Sequence, residues 1–171
     1  DTMYSPDEVI MPPSIPKEGA EYRGNQIPYE ELQKAMAYYY GITTFTDDNL
    51  GMVMDKIEEL GLDNNTIVVY CSDHGNLIGH HGRMGKLSFY DDDTRIPFIM
   101  SYPGLANKGQ VVNELIEQVD VMPTLLQMCG IQVPRGVQGA SFLPIIEHGA
   151  PGREYVHGFM RDRRQMVRSK D

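Results

Sequence analysis

The sequence predicts an α/β fold with a mostly parallel sheet flanked by helices, and three observations carry that prediction. The apolar run Thr66-Ile67-Val68-Val69-Tyr70-Cys71 has no polar alternation, which suits a central strand covered on both faces. Helical periodicity precedes and follows it, so helices alternate with strands. The run then opens directly into Ser72-Asp73-His74-Gly75 and Gly79-His80-His81-Gly82-Arg83-Met84-Gly85-Lys86. Ligand sites of open α/β sheets lie beyond the carboxyl ends of strands, and this end carries a carboxylate, imidazoles and an ammonium.

Residues 1–28 are proline-rich and polar. Met11-Pro12-Pro13 and Ile15-Pro16 favour an extended path, a linker or surface strap. Pro28 sits at a helix start, with Glu30 and Glu31 in the first turn, where the macrodipole favours negative charge. Apolar residues from Leu32 through Met36, Tyr40, Val53 and Ile57 to Leu60 keep a helical period, with Gly41 a point of bending and Gly61 the cap. A ligand-rich loop runs from the first strand to about Tyr90, and a second strand at 96–102 closes at Pro103-Gly104. Asp120 is placed to cap a helix through 123–128, ended by Gly130. An apolar turn at 142–146 and strands at 154–160 and 165–168 complete the order. With no initiator methionine and a stop just after a strand-like segment, both ends read as cut.

At 171 residues the chain is long enough for one domain with a core. Its net charge of -9 repels phosphates and argues against nucleic acid as a partner. The basic residues gather only at Arg161, Arg163, Arg164, Arg168 and Lys170, which read as a solvated strand edge. No window is apolar enough to span a bilayer, and the first residues lack a signal-peptide pattern, so the chain is expected to be soluble. Cys71 and Cys129 sit in apolar surroundings and are expected to be buried thiols, not a disulfide.

Asp73 and His74 would face opposite sides of a regular strand, but Gly75 lets the chain turn and bring both to the strand's mouth. Carboxylate oxygen with imidazole nitrogen suits several divalent cations. The other reading makes Asp73 a turn cap and His74 a satisfied buried histidine. Lys86, between Gly85 and the aromatic pair Phe89 and Tyr90, is a compact cation for an anion or else a solvated lysine. His80 and His81 are candidates to donate a proton or hydrogen bond to a substrate, or to pack the loop. Asp47 and Asp48 read as structural helix residues, and Arg95 after Asp91-Asp92-Asp93 as an ion pair at the strand start. His148 and His157 stand alone and receive no role.

Taken together, Tyr39-Tyr40-Gly41-Ile42, Asp47-Asp48-Asn49-Leu50-Gly51, Leu60 through Val69, Ser72-Asp73-His74-Gly75, His81-Gly82-Arg83 through Lys86, Arg95-Ile96-Pro97, Asp120 with Pro123-Thr124-Leu125-Leu126, and Gly139 through Pro144 resemble the sulfatases of the alkaline phosphatase superfamily. The match is collinear from about Pro12 to Lys170. It implies an alkaline-phosphatase-like α/β fold, here a fragment lacking the amino-terminal half. Residues 29–150 would be the carboxyl-terminal part of the catalytic domain and 151–171 the start of a small terminal subdomain. The implied reaction is hydrolysis of a sulfate ester by a formylglycine hydrate beside a divalent metal, calcium first, with magnesium or manganese as alternatives. Asp73 and His74 match the family's later metal pair, and Lys86 the lysine that contacts the sulfate. Family members often carry Asn at the position of His74 and an acidic residue at that of His80, which leaves His80 without an inherited role.

The family's nucleophile motif, Cys or Ser-x-Pro-Ser/Ala-Arg, does not occur in this chain, nor do the early aspartate pair or the mid-chain lysine and histidines. Formylglycine is therefore expected upstream, and the chain alone is expected to be inactive. The implied partners are a sulfated small molecule or glycan and the missing half of the domain; the implied location is periplasmic, secreted or lysosomal. Two other readings stand beside this one: a phosphonate or phosphate monoester hydrolase of the same superfamily, and a non-catalytic module binding metal or sulfated sugar.

Overall fold

A computed structural model describes residues 3–105, 108–160 and 163–170. They gather into two compact units, Asp1–Pro103 and Gly104–Asp171.

The first unit opens with a 3-10 turn at Pro6–Glu8, a short hairpin of β1 (Ala20–Tyr22) and β2 (Asn25–Ile27), and the long helix α1 (Tyr29–Glu59). Pro28 enters α1 in extended backbone, with Glu30 and Glu31 in the first turn. The helix ends as the sequence predicts: Gly61 takes φ +64°, and the N–H groups of Gly61 and Leu62 return to the carbonyls of Glu58 and Ile57. The helix runs through Gly41 without interruption. Leu32, Met36 and Ala37 of α1 pack with Val9, Ile15, Ala20 and Ile78. The proline-rich segment thus supplies apolar side chains to this core. Beyond Ala37, α1 exposes Tyr38, Ile42, Phe45, Met52 and Val53.

Strand β3 (Val68–Cys71) pairs antiparallel with β4 (Phe98–Ser101), setting Val68 opposite Ser101 and Cys71 opposite Phe98. The strand pairs among the described residues are all antiparallel, where a mostly parallel sheet was expected. A parallel neighbour needs a long crossover, usually through a helix. The link between β3 and β4 holds a 3-10 turn at His80–Gly82, the single turn of α2 (Asp91–Thr94) and loop, with no crossover helix, and the chain returns in the opposite sense. Described residues leave β3 only half-buried, and Ile99 of β4 is exposed. Cys71 and Cys129 are free and exposed, not buried, since Cys71 is the last residue of β3 and Cys129 lies just past α3.

The second unit holds α3 (Val121–Met128), α4 (Leu143–His148) and a hairpin of β5 (Tyr155–Phe159) and β6 (Gln165–Ser169). Gly130, at φ +68°, ends α3 as predicted. Asp120 stands at the helix start but does not cap it with its side chain. Its buried carboxylate instead accepts from the N–H of Glu117 at 2.9 Å, the N–H of Ala140 at 2.7 Å and the Arg153 guanidinium, whose Nε lies 2.8 Å away. Burial works against this charge, but Arg153 and the two backbone donors outweigh it and hold the carboxyl below its ordinary range. Thr124, fully buried, donates to the Asp120 carbonyl and accepts from the N–H of Phe142, tying α3 to the entry of α4. Lys170 pairs with Glu114, and Arg161 of the basic cluster lies outside the described residues. Among the described residues no helix is long and apolar enough to cross a membrane.

Candidate active site

The carboxyl end of β3 carries Asp73 and His74 into a bend that only glycine can complete. The N–H of Gly75 donates to the carbonyl of Asp93 at 2.8 Å, and a Cβ on Gly75 would stand 1.8 Å from the Asp92 carbonyl oxygen. The bend brings the two side chains to one place: His74 Nε2 lies 3.5 Å from Asp73 Oδ2. Ligands at right angles on a calcium ion about 2.4 Å away stand roughly 3.4 Å apart, so this pair fits adjacent positions on one ion. His74 Nδ1 is 2.7 Å from the carbonyl oxygen of Gly75, which orients the ring and presents Nε2. Both side chains are open to solvent, His74 by 39% and Asp73 by 86%, so His74 is not a buried histidine. Among the described residues no group of three or more His, Cys, Asp or Glu is arranged to hold a metal ion, and Asp73 with His74 offers two ligand atoms.

Lys86 joins this pair from the far end of the loop, its Nζ 2.5 Å from His74 Nε2. It is flanked by Gly85 at φ +81° and Leu87 at φ +80°, and a left-handed leucine is an uncommon backbone state. The loop between is stapled across its neck, with the N–H of Leu77 on the Gly85 carbonyl at 2.7 Å and that of Gly79 on the Arg83 carbonyl at 2.8 Å. Leu77 and Ile78 are buried, and Gly79 sits so close to Leu32 that a Cβ would lie 2.9 Å from its Cδ1. The helix α1 therefore sets where the ligand loop rests.

His80 and His81 form a second cluster around Asp92. Its Oδ1 is 2.9 Å from His80 Nδ1 and its Oδ2 is 3.1 Å from His81 Nε2. Ser14 Oγ also meets His80 Nδ1, at 2.7 Å. His81 adopts φ +56° and stacks on Tyr90 with centroids 3.8 Å apart. Next to Asp92, the buried Asp93 accepts from both the N–H and the hydroxyl of Ser88 through Oδ2. Its Oδ1 is buried with no hydrogen-bond partner among the described residues.

The structure thus joins Asp73, His74 and Lys86, while the ring of His81 is engaged by Asp92 and Tyr90. Sequence reasoning missed Asp92 and Asp93, which it read with Arg95 as an ion pair. Arg95 forms no ion pair among the described residues, because the aspartates turn toward the loop and the Gly75 bend instead. A pair of acids directly after the aromatic end of a histidine-glycine loop was the available signal. Asp47 and Asp48 are exposed on α1, and His157 meets Glu117 through its N–H and Nδ1.

Residues 11–131 match the Sulfatase family model. The chain is 37% identical over 153 residues to an ulvan-active sulfatase of Formosa agariphila, covering 87% of this chain and 28% of that protein. Among solved structures it superposes on a phosphonate monoester hydrolase from Silicibacter pomeroyi with a TM-score of 0.80 and 29% identity, over 92% of this chain and 36% of that one. It also superposes, with a TM-score of 0.76 and 29% identity, on a protein solved in complex with its substrate D-glucosamine-2-N,6-O-disulfate, over 82% of this chain and 31% of that one. This chain therefore spans about a third of the length of these relatives. A family match across most of the chain, with an alkaline-phosphatase-like α/β fold, shows that the chain belongs to the sulfatase family.

Proposed function

We propose that the protein hydrolyses sulfate esters and that this chain contributes two metal ligands, Asp73 and His74, and an anion-binding cation, Lys86. The observation that carries the reading is the convergence on His74 Nε2 of the Lys86 ammonium at 2.5 Å and the Asp73 carboxylate at 3.5 Å, at a strand's carboxyl end. Membership of the sulfatase family supports the reaction class. Calcium is the proposed cation, with magnesium or manganese as alternatives, since one hard carboxylate and one imidazole suit all three. When bound, the cation supplies positive charge beside the sulfate oxygens. The rest of its shell and a formylglycine nucleophile are assigned to polypeptide preceding residue 1.

Lys86 is the residue for charge that grows on the sulfate oxygens as the ester bond breaks. His81, oriented by Asp92 and Tyr90, is assigned as a proton or hydrogen-bond donor to a substrate oxygen. The substrate class is a sulfated sugar or another small sulfate ester, by analogy with the disulfated glucosamine held by one structural neighbour. The test is sulfate release by the intact protein from an aryl sulfate and from sulfated glucosamine, with and without calcium. Metal-dependent release is expected. A second reading, phosphonate monoester hydrolysis, is favoured by the superposition on the Silicibacter pomeroyi enzyme. Turnover of a phenylphosphonate monoester with no sulfate release would establish it over the first.

A further inference from the structure

We infer that Lys86 and the metal ion compete for a single lone pair on His74, so that metal binding frees Lys86 for the anion. This rests on the assignment of His74 as a metal ligand. The Gly75 carbonyl, 2.7 Å from His74 Nδ1, can only accept, so Nδ1 carries a proton. A lysine ammonium can only donate, and Lys86 Nζ stands 2.5 Å from Nε2, so Nε2 presents its lone pair. An imidazole with Nδ1 protonated has that one in-plane lone pair, and it is the one a cation must use.

Asp73 Oδ2, 3.5 Å from the same nitrogen, puts a carboxylate beside the place where the exchange occurs. When a cation takes Nε2, the Lys86 ammonium loses its acceptor and keeps all its donors for the nearest anion oxygens. Lys86 reaches Nε2 through its flexible four-carbon stem, so the release is a swing of the side chain. The site then fills in order, metal first and anion second. Lys86 lowers metal affinity in the absence of the anion and the anion relieves that cost, which makes the two ligands mutually reinforcing.

The test is calcium titration of the intact protein by calorimetry, with nitrogen NMR of the His74 ring and Lys86 side chain. Without metal, Nδ1 should be proton-bearing and Nε2 an acceptor, and calcium should shift Nε2 and the Lys86 signals along one binding curve. Lys86→Met should tighten calcium roughly tenfold, the weight of one hydrogen bond to a charged donor. The gain should vanish when the same substitution is made in His74→Ala, because competition needs the Nε2 lone pair whereas simple charge repulsion would persist. Equal affinity in the two proteins, a gain that persists without His74, or a proton on Nε2 overturns the competition while leaving the metal reading intact. Calcium binding that neither Asp73→Ala nor His74→Ala weakens, or no binding in any of the proteins, overturns the metal reading and the competition with it.

Discussion

Two clusters of opposite charge, one in each unit, show how differently the same side-chain chemistry is used. Around Asp120 every valence is met: two backbone N–H groups and a guanidinium surround a carboxylate that is 2% exposed. Around His74 the partners are few and open, with Asp73 86% exposed. A buried charge with a full set of partners serves the fold, because losing one partner leaves an uncompensated ion. An exposed charged pair contributes little to stability and stands within reach of a ligand. Asp120–Arg153 is accordingly read as structural and Asp73–His74–Lys86 as functional.

The sharpest way to break this comparison is to ask for turnover from the 171-residue chain alone. Groups that act as one unit fail together, so an aryl sulfate with calcium should give no rate above buffer. Multiple turnover would show that the site is complete in this chain. Next in size is Arg153→Ala, which strands the buried Asp120 and should cost about 3–5 kcal/mol of stability. Denaturant titration reads it; a loss under about 1 kcal/mol would make the Asp120 cluster no more structural than a surface pair.

Lys86→Ala in the intact protein should cut the catalytic rate roughly a hundred- to a thousandfold, about 3–4 kcal/mol in the barrier, with the melting temperature nearly unchanged. Activity within a few fold of wild type would return Lys86 to the solvated surface. Asp92→Ala removes the bridge between His80 and His81 and should cost about 1–3 kcal/mol in stability, two hydrogen bonds' worth. An unchanged denaturation midpoint would show that the bridge holds nothing in place.

The smallest effect is with pH. The Asp120 carboxyl lies below its ordinary range when folded, so its contribution is complete above the unfolded carboxylate value of about 3.9 and is lost as pH falls through the folded one. Urea midpoints between pH 5 and 3 should fall more steeply for wild type than for Asp120→Asn. Parallel slopes would remove Asp120 from the acid transition.

Local signals were legible in the sequence because they depend on neighbours in the chain. The ends of α1 at Pro28 and Gly61, the end of α3 at Gly130 and the placing of Asp73 and His74 at a strand end all follow from such signals. The sequence by itself therefore determined the order of the main elements from α1 onward, the family motifs and the residues at the mouth of β3, but not the β1–β2 hairpin inside the segment read as an extended strap. What lay beyond it was the choice of partner. Asp92 and Asp93 turn to the loop and not to Arg95, and Asp120 binds Arg153 instead of capping α3. The strap at 1–28 enters the core through Val9 and Ile15, and β3 takes an antiparallel neighbour. Each of these pairs residues far apart in sequence or weighs equivalent acids against each other. Only the tertiary structure decides them, because hydrogen-bond geometry and burial are set by what the folded backbone brings within about 3 Å, not by spacing along the chain.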